Sequence, residues 1–136
     1  MIAALVPFGA ARAEAFMFVT GTSSVRKITR GEVRAAFFGK LHAWPDGTAV
    51  RPILPAAGSP ELRWLAEEVF GIGEGLLLAK FRQEMFKGAL QDAETATSAD
   101  DCIAGARRNP GAICVAGASA FRGLPPGVHV VPYSRL

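Results

Sequence analysis

The side chains of this sequence best placed for chemistry are hydroxyls that stand just before helix starts. Ser59 precedes Pro60, and Thr97 and Ser98 precede Ala99 with Asp101 close behind; Thr22, Ser23 and Ser24 follow the apolar run at 16–19. Such hydroxyls satisfy the unpaired first amides of a helix, and those same amides, with the helix dipole, favour an anion. Arg63, one turn beyond Ser59, adds a guanidinium able to pair with an oxyanion. The candidate binding residues are therefore Ser23, Ser24, Ser59, Arg63, Thr97 and Ser98. Each serine also reads as a plain N-cap, the commoner role. Glu61, Asp100 and Asp101 set negative charge beside these helix starts, and no glycine-rich phosphate fingerprint follows the first strand.

For catalysis the inventory is thin. His42 lies before the turn at Trp44 and His129 in a C-terminal run, and neither adjoins a Ser or Cys in a nucleophile motif. Two thiols, Cys102 and Cys114, match no zinc spacing. The expectation is a binding protein rather than an enzyme, with no catalytic residue, no metal and no cofactor. The two cysteines lie at similar distances from Asn109-Pro110-Gly111, one on a helix and one on a strand, so they could face each other. The reading leans to two buried free thiols, with a disulfide as the alternative.

The elements that must hold these residues follow from pattern. Phe16 to Val19 reads as a buried strand ending in a polar turn. Thr29 with Glu32 forms a capping box, with Ile28 stapled to Val33, and that helix stops at Gly39. Trp44-Pro45-Asp46-Gly47 is a turn leading to a strand, Val50 to Leu54, whose Pro52 and Pro55 argue for an edge position or an early end. Ser59 and Pro60 open a second helix, with Leu62, Leu65, Ala66, Val69 and Phe70 as its apolar stripe. A third spans Glu74 to Lys87. Ala89 to Thr97 reads as a loop, Ser98 with Asp101 as a second capping box, and the last helix runs to Arg108. Short strands at 112–115 and 128–131 complete an α/β fold with a mixed or mostly parallel sheet flanked by helices.

The chain of 136 residues suits one domain, here 16–136, and half its residues are hydrophobic. Its net charge of +3 is scattered, with no basic run, so nucleic acid is not an expected partner. The segment 1–13 closes on Ala11-Arg12-Ala13 and reads as a signal-peptide remnant, with a buried strand as the alternative. Export places the mature domain in the periplasm or another extracytoplasmic space.

Three segments together carry a family resemblance. Ile28 to Val33, leading to Phe37-Phe38-Gly39-Lys40 and Trp44-Pro45-Asp46-Gly47, resembles a signature of the phosphate-binding proteins of phosphate ABC transporters, in particular their small single-lobe relatives. Phe81 with Phe86-Lys87-Gly88 is similar to an aromatic and F-x-G pair of those proteins, with Phe81 where Trp is more usual. Asn109-Pro110-Gly111-Ala112-Ile113 resembles their P-G-A-I-G-Y turn, with Cys114-Val115 in place of Gly-Tyr, and Ser59-Pro60-Glu61 stands in the place of the full proteins' S-G-T loop. The resemblance covers roughly residues 16 to 131. It implies one lobe of a type II periplasmic binding protein, a small anion such as phosphate as ligand, and a membrane transporter as partner. The alternative is an envelope protein-interaction module of the same fold that has lost its ligand.

Overall fold

The structure, a computed structural model, describes residues 15–88, 90 and 93–136. The expected signal-peptide remnant at 1–13 lies outside the described residues.

A five-stranded mixed sheet has the order β4 (Glu94–Thr95), β3 (Arg51–Leu54), β5 (Ala112–Gly117), β1 (Phe16–Thr20) and β6 (His129–Val131). β4, β3 and β5 are mutually parallel, whereas β1 runs antiparallel to both β5 and β6. Every residue of β5 is buried, as a central strand covered on both faces must be. Alternation along the strands divides the core in two. Phe18, Leu54, Ile113 and Val115 face α1 (Arg30–Phe37), α2 (Pro60–Trp64) and α3 (Glu74–Phe86), while Val19, Ile53, Ala112 and Cys114 face α4 (Ala99–Arg108). The expected α/β architecture, a mixed sheet flanked by helices, is the fold observed.

Local chemistry explains the element limits. Thr29 Oγ1 accepts from the Glu32 amide at 3.2 Å, and the Glu32 carboxylate accepts from the Thr29 amide at 2.9 Å, so the capping box is closed on both sides. The chain leaves α1 through Gly39 at φ 75°, which a residue without a Cβ adopts freely. Ser59 caps α2 through the Leu62 amide, and Pro60 fills the first helical position.

Five expectations need correction. β3 is not an edge strand: Arg51 and Pro52 pair with β5, and Ile53 and Leu54 pair with β4. Its prolines are accommodated because the two neighbours engage different halves of so short a strand, and Pro55 ends it early. The loop expected at 89–97 contains that two-residue strand β4, too short to leave a pattern. The second helix is not α-helical throughout, since Leu65–Phe70 continues α2 as a π-helix that ends at Gly71. The second capping box is not reciprocal: Ser98 Oγ accepts from the Asp101 amide, but Asp101 takes the amide of Thr97 instead of that of Ser98. Finally, Cys102 and Cys114 are not free thiols. They form a disulfide with a Cα separation of 6.1 Å, because the turn at Asn109-Pro110-Gly111 lays α4 back along β5 with both side chains in the same core.

Candidate functional site

The carboxyl ends of β3, β4 and β5 point the same way, and the chain leaves β3 and β4 there through the loops that start α2 and α4. Between those loops lies a cavity of about 180 Å³. Its polar wall is Ser59, Glu61, Thr97 and Ser98; Pro55, Ala56, Ala99, Cys102 and Val115 form its apolar floor. Carboxyl ends of strands are where open α/β sheets usually take ligands.

The hydrogen bonding decides what this wall can offer. Ser59 Oγ accepts from the Leu62 amide at 3.1 Å and Ser98 Oγ from the Asp101 amide at 3.1 Å, so both hydroxyls keep a proton to donate. Thr97 is spent locally, its amide and its hydroxyl both directed at Asp101 Oδ2 at 2.9 and 3.3 Å. Arg63 does not line the cavity; its Nε lies 3.7 Å from Glu74 Oε1 and its side chain is well exposed. Glu61 brings the one formal charge among the described lining residues, and it is negative.

Ser23 and Ser24 stand elsewhere. β1 is antiparallel to β5, so its carboxyl end lies beside the start of β5, with Thr20 opposite Ile113. The loop beyond it packs on the far end of α4, where a Cβ on Gly21 would meet the Ala106 carbonyl at 2.6 Å. Ten helical residues separate that end from Ser98, about 15 Å. The sequence brings Ser59, Thr97 and Ser98 to one cavity, then, and leaves Ser23, Ser24 and Arg63 outside it. Glu61, expected to set negative charge beside Ser59, does line the cavity; sequence reasoning missed Cys102 as part of its floor.

The hydroxyls of Thr22 and Ser24 serve a structural purpose. Thr22 Oγ1 donates to Asp46 Oδ2 at 2.7 Å and lies 3.0 Å from Ser24 Oγ, while the Thr48 amide donates to Asp46 Oδ1 at 2.9 Å. These groups, the Thr48 hydroxyl foremost and then that of Thr22, lower the Asp46 carboxyl from 3.8 to about 2. A carboxyl depressed on folding contributes stability above its unfolded pKa of 3.8 and loses it as the pH falls toward 2. Stability of the native chain should therefore decline between pH 4 and 2 more steeply than that of Asp46→Asn, and equal slopes in urea titrations across that interval would refute the linkage.

A larger hollow of about 310 Å³ lies between α1 and β3, next to Gly88 and Leu90. Small apolar residues make most of its lining, and His42 is the ionisable side chain among the described lining residues. Of the aromatic residues, Phe37 and Phe81 are core, and Phe38 and Trp64 are half-buried against other rings: Phe70 at 4.9 Å for Phe38, and Phe16, Phe18 and Tyr133 at 5.6 to 5.8 Å for Trp64. Phe86 is 95% exposed. Among the described residues, no helix is long and apolar enough to cross a membrane.

No family model matches the sequence, and no curated protein matches it. Solved structures do match the fold. A substrate-binding protein from Clostridium perfringens, crystallised with bound phosphate, aligns with a TM-score of 0.62 at 14% identity, over 88% of this chain and 45% of its own. An ABC-type phosphate transport receptor from Vibrio cholerae aligns with a TM-score of 0.61 at 12% identity, over 88% and 46%. The PstS protein from Borrelia burgdorferi gives 0.56 at 16%, over 88% and 47%. The chain thus spans less than half the length of these binding proteins, and identities this low carry the fold alone.

Proposed function

We propose that this chain is an exported solute-binding-like domain that takes a small oxyanion, phosphate first, in the cavity between the starts of α2 and α4, in the service of an ABC transporter. One observation carries the reading: two capped helix starts, at Ser59 and Ser98, open on a single cavity at the carboxyl ends of three parallel strands. Helix N-termini each present about half a positive charge together with unpaired amides, and the two serine hydroxyls have protons to donate. Against this stands the full negative charge of Glu61 with no cation among the described lining residues. The balance favours a weakly held anion, in the range where a second body closing over the cleft would add much of the affinity. The likeness to phosphate receptors supports phosphate as the ligand, and the disulfide supports a location outside the cytoplasm, where such bonds persist. The role is binding, without chemistry on the ligand.

Thermal unfolding tests it. Phosphate at a hundred times its dissociation constant should stabilise the fold by about 2.7 kcal/mol, a rise of several degrees, and Ser59→Ala with Ser98→Ala should remove most of that rise. A second reading, an envelope protein-interaction module without ligand, is favoured by Glu61 in the cavity wall and by the exposed Leu76 and Phe86 of α3. Unfolding curves that phosphate and sulfate leave unmoved would select it.

A further inference from the structure

α4 is fastened to the sheet by two different means. Its C-terminal half lies directly against its neighbours: a Cβ on Gly105 would meet Ile53 Cδ1 at 2.7 Å, and the Ala106 carbonyl lies as close to the Cβ position of Gly21. Contacts of that kind leave little room for sliding. The start of the helix is held otherwise. Asp100 is exposed, Ala99 and Asp101 are half-buried, and the first side chain to reach the core is Cys102, bonded to Cys114 of β5. Cys102 also forms part of the cavity floor. Ahead of Ser98 the chain is tied to β3 by the Ala96 amide, which donates to the Leu54 carbonyl at 2.8 Å, so between that bond and Gly105 the disulfide is the covalent link of the first turn of α4 to the sheet, beside the packing of Ile103.

We infer that the Cys102–Cys114 bond is a redox latch on the cavity: oxidised, it holds the first turn of α4 against β5, and reduced by a dithiol it releases that turn while the remainder of the fold persists. What the cavity binds rests on the reading above; the motion does not. Cys102 is 1% exposed, so the exchange begins when the start of α4 opens transiently on the cavity side, and a thiolate of the reductant then attacks Cys102 Sγ. The S–S bond breaks and Cys114 leaves as a thiolate, then takes up a proton. The second thiol of the reductant then attacks the reductant's own sulfur in the mixed disulfide and displaces Cys102 as a thiolate, which takes up a proton. Two electrons pass to the protein, and the dithiol becomes a cyclic disulfide.

The test uses the full chain in its oxidised form, after reduction with dithiothreitol, and as the Cys102→Ala, Cys114→Ala double variant. Amide hydrogen exchange is followed together with thermal unfolding in inorganic phosphate. Reduction and the double variant should each lower protection of the amides at 99–103 by tenfold or more, with those of 105–108, β1 and β5 retained, and should abolish the phosphate-induced rise. Unchanged protection at 99–103, an even loss along the whole of α4, or a phosphate shift of equal size in both redox states would overturn the latch. A local loss of protection in a protein that phosphate never stabilises would uphold the latch and reject phosphate as the ligand.

Discussion

Replacing Gly111 with alanine is expected to cost about 3 kcal/mol or more, enough to unfold a marginal domain at moderate temperature. The added Cβ would stand inside the carbonyl of Ala49, within 2.9 Å of its carbon and of Thr48 Cγ2. A flexible side chain would swing away, but the obstacle here is backbone in the turn that follows Trp44, itself fixed by the Trp44 and Thr48 main-chain bond at 2.9 Å. The Gly111 carbonyl also accepts twice, from the Arg51 amide at 3.0 Å and from Trp44 Nε1 at 2.8 Å. Any shift that relieves the clash weakens a bond made by a buried indole and the first pairing of β3 with β5, so the cost of overpacking adds to that of unsatisfied buried groups. Urea unfolding of Gly111→Ala against Gly31→Ala, whose Cβ would meet nothing within 4 Å, isolates the effect. Similar midpoints for the two would show that the turn yields.

That close approach clarifies which parts of the fold were legible in the sequence. Elements whose cause is local could be read: the Thr29 capping box, the Ser59 and Pro60 start, the Gly39 stop and the strands on either side of the Asn109 turn all lie within a few residues of what dictates them. Features that depend on partners distant in sequence could not. β4 is a strand because Leu54 lies next to Thr95, and β3 is internal for the same reason. The π-helical half of α2 has the same apolar spacing as an α-helix would, so periodicity does not separate the two.

The candidate site divides along the same line. Ser59, Thr97 and Ser98 were found because caps announce helix starts, and helix starts in a parallel arrangement gather at one end of a sheet. Ser23 and Ser24 follow a strand too, and nothing in their own residues tells that β1 runs against β5, which sends them to the opposite end. Arg63 sits a turn past its cap, as expected, but Glu74 at 3.7 Å draws it away from the cavity. Direction of a strand and choice of an ion-pair partner are tertiary facts. The aromatic residues behave likewise: packing decides that Phe37 and Phe81 enter the core while Phe86 does not.

Removing the disulfide is the other change with a large expected effect, and the size can be argued from the chain itself. Cys102 and Cys114 are 12 residues apart. Closing so short a loop restricts the unfolded chain by about 3 kcal/mol in the chain-entropy account, so the Cys102→Ala, Cys114→Ala variant should melt roughly 10 °C below the oxidised protein. Both side chains are buried, and alanine leaves only small voids there, which adds modestly to the loss. Most of the effect should thus lie in the unfolded state, with the native fold of the variant unchanged outside the start of α4. Two measurements separate the contributions: reduced wild-type protein, which keeps both sulfurs but lacks the bond, should recover only the cavity share, and the denaturant slope should rise in both unlinked forms because their unfolded chains expose more surface. Equal midpoints for the oxidised and reduced protein would mean that the segment from α4 to β5 is already confined before folding, and that the bond adds no order to it.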